Sequence, residues 1–461
     1  MIEVVSNKVD YINLIYDLIT VLFLIFLSFG IILRTYGISR EKFALTNIKI
    51  LFFSFPVIVL SSYLFGWAIS FAFSSGPIVK GGFREFAFAL PWSEFMGPNL
   101  DNNQTFVNDY QKSPMSLIKF ILVTWSMIIF FGSAIIERIR IGAFLILSII
   151  LGSIFWPICS SWSWSSNGWM SEVFGYHDAF GSGAFHTILG GFALGVLGKL
   201  GFRKIKFNSF SKARDIPANS EISLIFGNIL VVFGIFGLFL YSINPFSEIK
   251  NEFGSYMFTL NIYGNPISFY GVLLNFVMGI SGGLVISAIH SFNNNKKIFI
   301  GGIVGIVSIS AGADYYHPVH CLLISMIVTL AVFKSFNYLE EKFKIDDASD
   351  IIVSHGFAGF WGLIIASILL WGYPSSMAEG SVFTNPFGQF AGALIIFWIL
   401  GFIPGYLTAG ILKFFNILHL SDTIQITGQD ILSTRDKIIE TNNIYEAEKK
   451  IISDMKADKK S

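Results

Sequence analysis

The sequence predicts an all-α polytopic membrane protein with eleven transmembrane helices, and three observations support that prediction. Of the 461 residues, 53% are hydrophobic and only 13% are charged, whereas soluble domains carry roughly 25% charged residues. Eleven apolar runs approach the roughly 20 residues that cross a bilayer. Positive charge alternates between the loops that join these runs. The formal net charge of +1 gives no sign of a nucleic-acid partner.

The first predicted span is followed by "RTYGISREK" rather than by a cleavage site, so we expect it to remain in the membrane. The eleven predicted spans cover residues 11–33, 47–73, 115–136, 141–161, 180–201, 219–243, 266–290, 298–313, 317–335, 351–372 and 386–413.

Lysine and arginine are concentrated in every second loop. The loops after the first, third, fifth, seventh and ninth spans contain "RTYGISREK", "ERIR", "GKLGFRKIKFNSFSKAR", "NNNKK" and "EEKFK". The positive-inside rule therefore places these loops in the cytoplasm, the N-terminus outside and the C-terminus inside. The sequence predicts a multi-pass protein of the cell membrane, with a transmembrane domain over residues 1–413 and a cytoplasmic tail over 414–461.

One pattern occurs twice. Asp178, His186 and Gly190 have the same spacing as Asp347, His355 and Gly359. An odd number of spans separates the two copies, so they enter the membrane with opposite polarity. This predicts an inverted repeat of helices 1–5 and 6–10.

Ionisable side chains inside a membrane are costly, so the two histidines require an explanation. In an inverted repeat the two copies meet near the midplane, where two neutral imidazoles can share a hydrogen bond and still offer one donor and one acceptor. The alternative is two separate core histidines, each bonded to a backbone carbonyl. The aspartates are expected to cap the helices that follow them.

Other polar residues give weaker signals. His317 and His320, with Asp314, form either a metal-ligand set or a cap at the start of the ninth span, and the cap is the preferred interpretation. The two cysteines, Cys159 and Cys321, are interpreted as small hydrophobic residues. The sequence shows no nucleophile–base pair and no phosphate loop, so no enzyme activity, cofactor or metal is predicted.

Several segments together resemble the ammonium transporter family (Amt and its Rh relatives), over residues 11 to 435. They are "GIILRTYGISREKFALTNI", "GSAIIERIRIGAFLI", "DAFGSGAFHTILGG", "DDASDIIVSHGFAGFWG" and the tail segment "LSDTIQITGQD". The glutamate–arginine motif and the tail favour the Amt branch. The resemblance implies a homotrimer in which each subunit has its own hydrophobic pore.

The resemblance also implies roles for individual residues. His186 and His355 are the twin histidines of the pore, and Asp178 orders an outer recruitment site. Trp164, or Trp162 as the other candidate, lies at the outer vestibule. Ser242 is the hydroxyl partner there, or else bonds back to its own helix backbone.

The sequence departs from the family at the gate, which is usually two stacked phenylalanines. Ungapped counting puts Val123 and Leu238 at those positions, so the gate is either aliphatic or built by neighbouring aromatics in a shifted register. The neighbouring aromatics are Phe120, Trp125, Phe236 and Phe239.

Two functions follow from the resemblance. The first is transport of ammonium or ammonia, with the cation recruited and deprotonated at the outer vestibule. The second is an ammonium sensor with little flux, which the missing phenylalanine pair favours. The sensor would signal through its tail to a soluble cytoplasmic partner of the P-II type.

Overall fold

The structure is a computed structural model and is almost entirely helical. It describes residues 2–74, 76, 87, 90, 114–165, 168–207, 212–214, 216–242, 259–292, 294–375, 382–432, 446 and 449–450. Within these residues the long helices, numbered in chain order, are α1 Ile2–Ile38, α2 Glu41–Ala72, α3 Pro114–Ala134, α4 Ile141–Ser163, α5 Ser182–Leu200, α6 Glu221–Ser242, α7 Phe269–Ser291, α8 Asn295–Ile309, α9 Pro318–Phe343, α10 Ile352–Leu369 and α11 Pro386–Phe414. A short antiparallel hairpin pairs Thr259–Leu260 with Pro266–Ile267.

Ten of these helices are long and apolar enough to cross a membrane. The predicted eighth span corresponds to α8, which has 15 residues and is about 22 Å long at 1.5 Å per residue. The chain then forms turns over residues 310–315, where the carbonyls of Ser310 and Ala311 accept hydrogen bonds from Phe180 and Ala179. The helix is short because these carbonyls pair with another loop, and the count of eleven spans remains a prediction.

Helix α5 lies at the centre of the bundle and packs against α10 and α11. Glycine makes the closest of these contacts possible. A Cβ atom on Gly190 would lie 2.1 Å from the Cα atom of Gly356, and one on Gly191 would lie 2.3 Å from the carbonyl oxygen of Phe397. Small residues allow helix backbones to approach closely where lipid provides no hydrophobic drive.

One end of the bundle, here called the tail face, carries a buried ion network. Arg138 and Arg203 each approach the Asp346 carboxylate to 2.7 Å, and Arg40 lies 2.6 Å from Glu137. Burial alone would raise the pKa of Asp346, but the guanidinium groups of Arg203 and Arg138 hold it well below its usual range. The network joins the loops after α1, α3, α5 and α9. The other end of the bundle, which holds Asp178 and Asp314, is called the opposite face.

The tail folds back onto the tail face. Leu420 donates its N–H to the carbonyl of Arg138 at 2.9 Å, and Arg40 donates to the carbonyl of Gln425 at 3.1 Å. The Asp430 carboxylate accepts the backbone N–H of Thr46 at 2.8 Å. The division at residue 413 remains a prediction, and most of residues 433–461 lie outside the described residues.

Candidate functional site: a buried histidine pair

The structure brings the two predicted histidines together. Nδ1 of His186 lies 2.8 Å from Nδ1 of His355, and the ring centroids are 4.9 Å apart with an interplanar angle of 20°. Both side chains are fully buried. One Nδ1 must donate and the other must accept, so at most one ring is charged.

Each ring keeps its second nitrogen available. Nε2 of His186 and Nε2 of His355 are buried and have no hydrogen-bond partner within the described part of the chain. When both rings are neutral, the shared bond fixes one Nε2 as a donor and the other as an acceptor. The pair therefore presents both hydrogen-bonding roles to a small polar molecule in apolar surroundings.

The two histidines lie on equivalent local structures. Each lies in a π-helical turn, Ser182–Thr187 in α5 and Ile352–Phe357 in α10. Such turns are rare and are frequent at functional sites. The turn shifts the backbone register, and the two turns face each other where Gly190 and Gly356 allow the helices to touch.

Asp178 caps α5 as the sequence predicts. Its carboxylate accepts backbone N–H groups from Gly181 at 3.1 Å, Gly183 at 2.9 Å and Ala184 at 2.8 Å. Burial raises the pKa of Asp178 to about 6, against the lowering effect of these donors. Tyr176 donates a further, longer bond of 3.4 Å to the same carboxylate.

Asp347 caps α10 in the same way, which is the predicted counterpart. Its carboxylate accepts the N–H of Ile352 at 2.7 Å and that of Ser349 at 3.2 Å. Burial and the neighbouring Asp350 carboxylate raise the pKa of Asp347 to about 7. The two aspartates therefore hold the starts of the two histidine-bearing helices from opposite ends of the bundle.

Phenylalanine rings surround the histidine pair. Phe130 lies 4.4 Å from the ring of His355 and Phe185 lies 4.9 Å from the ring of His186, centroid to centroid. Sequence reasoning missed both. Phe185 could have been found because it directly precedes His186, but Phe130 reaches the site from α3, and its local sequence carries no signal of that contact.

Of the two candidate tryptophans, Trp164 is the one beside Asp178. Its indole Nε1 donates to the Asp178 carbonyl at 2.8 Å, and its ring lies against Gly181. The Trp162 ring instead packs edge-on against Trp169, with centroids 5.4 Å apart. Trp164 is partly exposed at the opposite face.

The Ser242 hydroxyl donates to the Leu238 carbonyl at 3.1 Å. This is the back-bonded geometry that the sequence allowed as the alternative to a substrate contact. Ser242 is partly buried. The ring centroid of the adjacent residue, Tyr241, lies 6.1 Å from that of Trp164.

The counted gate positions, Val123 and Leu238, are both buried. An aromatic stack does occur, between Phe180 and Phe239, with centroids 4.4 Å apart and an interplanar angle of 9°. Phe239 was among the sequence candidates, whereas Phe180 was missed. The signal available for Phe180 was its position two residues after Asp178.

The remaining aromatic candidates have other partners. Phe120 packs on Trp156, with centroids 4.7 Å apart. The Trp125 indole donates to the Ser54 hydroxyl at 3.1 Å. Phe236 packs against Phe276 on α7.

The prediction that His317 and His320 cap the ninth span is correct only for His317. Its Nδ1 accepts the N–H of Val319 at the start of α9, at 3.4 Å. His320 instead contacts Tyr263. Asp314 turns away from both, because its carboxylate pairs with Nε2 of His177 at 3.1 Å.

His177 itself was missed by sequence reasoning. Its Nδ1 lies 2.9 Å from the Ser375 carbonyl, and both of its ring partners are acceptors, so both ring nitrogens must donate. Burial alone lowers the pKa of His177, but Asp314 and the Ser375 carbonyl outweigh it, and the pKa lies above its usual range. Within the described residues, no group of three or more His, Cys, Asp or Glu side chains could hold a metal ion.

Comparison with known proteins identifies the family. The model of the Ammonium Transporter Family matches residues 16–437. Ammonium transporter Amt1 of Methanocaldococcus jannaschii is 25% identical, over 60% of this chain and 66% of its own length. Ammonium transporter 1 member 3 of Solanum lycopersicum is 26% identical over 93% of each chain.

Solved structures share the fold. A structure described as a sensor Amt protein has a TM-score of 0.74 at 19% identity, covering 93% of this chain and 99% of its own. Mep2 of Saccharomyces cerevisiae has a TM-score of 0.68 at 16% identity, covering 89% and 87%. With ten apolar helices of membrane-spanning length, the chain is a multi-pass membrane protein and belongs to the Ammonium Transporter Family.

Proposed function

We propose that this protein carries ammonium or ammonia across a cell membrane, through a narrow hydrophobic pore in each subunit of a homotrimer. The observation that supports this most strongly is the histidine pair, with a 2.8 Å Nδ1–Nδ1 contact and two available Nε2 atoms. The tail face is proposed to be cytoplasmic, with eleven spans and an inverted repeat.

The energetics favour moving the neutral molecule. Transfer of a small cation into a low-dielectric medium costs on the order of 20 kcal/mol before relaxation. Ammonia avoids most of that cost. The least costly route is to bind the cation at the opposite face, separate its proton, and pass ammonia along the two histidines.

Recruitment is assigned to Trp164 and Asp178. The partly exposed indole offers cation–π attraction of about 1–2 kcal/mol, and its bond to the Asp178 carbonyl fixes its orientation. The buried Asp178 carboxylate adds a negative field beneath the indole. Beyond it, His186 and His355 give ammonia one donor and one acceptor.

A second candidate is an ammonium sensor with little flux. The sequence favoured it because a phenylalanine pair was missing at the counted positions, and the stack of Phe180 on Phe239, with centroids 4.4 Å apart, removes that argument. The anchored tail, held by Arg138 and Asp430, offers an element that a soluble P-II-type partner could read.

The test is ammonium current in proteoliposomes. His186→Ala and His355→Ala are each expected to lower the current at least tenfold, or to remove selectivity for ammonium over potassium. His320→Ala is the matched control, because His320 contacts Tyr263 at the opposite face, away from the pair. Unchanged flux and selectivity in both pair variants would contradict the assigned roles, whereas ammonium binding without current in the wild type would favour the sensor.

A further inference from the structure

A cleft on the tail face has one residue of the π-helical turn of His355 in its lining. It lies between α7, α8, α9 and α10, and one wall is formed by His290 and Phe333, whose rings stack with centroids 5.8 Å apart. Val353, which also lines the cleft, belongs to the π-helical turn that carries His355. Val353 is separated from His355 by one residue along that turn.

Asp350 is the carboxylate that lines this cleft. Its side chain is only 2% exposed, and its Oδ2 atom lies 2.9 Å from Nζ of Lys296. Its Oδ1 atom is buried and has no hydrogen-bond partner within the described ranges. Buried carboxylate oxygens without a donor are unfavourable, so this atom is available to a further N–H group.

Lys296 is not the only cation near Asp350. Arg34 is fully buried and interacts electrostatically with both Asp350 and Asp347. Its Nη2 atom donates to the Ser349 carbonyl at 2.7 Å, which fixes it beside the Asp350 backbone. A buried guanidinium remains charged, so the carboxylate keeps a compensating cation when Lys296 moves away.

Lys296 is able to move away. It lies in the first turn of α8, and its side chain is 32% exposed, in contrast to the buried carboxylate it contacts. The lysine head group is an ammonium ion on a flexible four-carbon stem. It presents to Asp350 N–H donors of the same kind as those of a free ammonium ion.

We propose that Asp350 is a second cation site, on the tail face, for a free ammonium ion, and that Lys296 is a tethered competitor that occupies it. This inference rests on the proposed function, because the proposed transport route makes this cleft the tail-face entrance to the histidine pair. A short flexible tether corresponds to an effective concentration in the millimolar range. Free ammonium should therefore displace Lys296 only when it accumulates on that side.

Binding is tested on the purified full-length chain by the rise in melting temperature with ammonium chloride, with sodium chloride keeping ionic strength constant. Lys296→Gln should lower the half-saturating ammonium concentration at least threefold. The matched control is Lys342→Gln, which removes a positive charge from the same face of the bundle, at the C-terminal end of α9, where Lys342 contacts Tyr338. Asp350→Asn combined with Lys296→Gln should abolish the rise in melting temperature with ammonium chloride.

Chemical rescue separates the ammonium group from other effects of substitution. Lys296→Cys can be modified selectively, because the two native cysteines, Cys159 and Cys321, are buried. Reaction with 2-aminoethyl methanethiosulfonate restores an ammonium group and should return the half-saturating concentration to the wild-type value. Methyl methanethiosulfonate adds a neutral group and should not.

The same variants are then compared in proteoliposomes with ammonium supplied from the tail face. Lys296→Gln should again lower the half-saturating concentration at least threefold, and Lys342→Gln should match the wild type. If Lys296→Gln and Lys296→Cys match the wild type in both measurements, the proposal is wrong. If the wild type carries no histidine-dependent current, the transport function fails, and the melting measurement still decides the Asp350 site.

Discussion

The contact between α5 and α10 gives the sharpest link between packing and function, and Gly190→Ala tests it. The new Cβ atom would lie 2.1 Å from the Cα atom of Gly356, and ordinary contact begins at 3.4 Å. The two helices must therefore separate by about 1.3 Å at this point. His186 lies one turn away on α5, so its 2.8 Å bond to His355 should lengthen beyond hydrogen-bonding range.

The expected magnitude follows from overpacking. Forcing an atom into a filled interior costs about 1–3 kcal/mol, so Gly190→Ala should lower the melting temperature and reduce the ammonium current at least tenfold. Gly356→Ala should have a smaller effect, because its Cβ atom would lie 2.9 Å from Gly190. Gly142→Ala is the control, since nothing lies within 4 Å of that added atom.

The measurements are the melting temperature of the purified protein and the ammonium current in proteoliposomes. The expected order of damage is Gly190→Ala, then Gly356→Ala, then Gly142→Ala. If Gly190→Ala and Gly142→Ala have the same melting temperature and current, the helix contact does not set the histidine geometry, and the reasoning is refuted.

Three further predictions concern the residues around the site. The pKa of Asp178 is about 6 in the folded protein, against an ordinary value of 3.8 that we take for the unfolded chain, so folding takes up a proton between these pH values. The free energy of unfolding should therefore fall by up to ~3 kcal/mol as pH rises from 4 to 6. Asp178→Asn should remove this pH dependence of the melting temperature. Asp346→Asn leaves Arg138 without its buried carboxylate partner and should lower the free energy of unfolding by about 3–5 kcal/mol. Lys204→Ala breaks an exposed ion pair and should lower it by only ~0–1 kcal/mol. Equal melting temperatures for the two variants would contradict this expectation. Trp164→Phe keeps a ring but loses the bond to the Asp178 carbonyl, so the half-saturating ammonium concentration should rise severalfold, and an unchanged value would remove Trp164 from recruitment.

Hydropathy and spacing were enough to predict the membrane class, most of the helices and the histidine pair. These features are local: an apolar run needs no partner to be recognised, and the repeated aspartate–histidine spacing can be counted along the chain. The two histidines could be recognised as functional candidates because an ionisable side chain deep in a membrane is energetically costly. The family resemblance then added Trp164 and a recruitment role for Asp178.

The sequence alone determined that ionisable residues recur in two apolar segments of opposite polarity. Only the tertiary structure decided which groups those residues meet. Phe180 stacks on Phe239 and Asp350 pairs with Lys296, and both contacts join segments more than 50 residues apart. The physical reason is that hydropathy is a property of each segment, whereas a hydrogen bond or ring stack depends on how the helices cross.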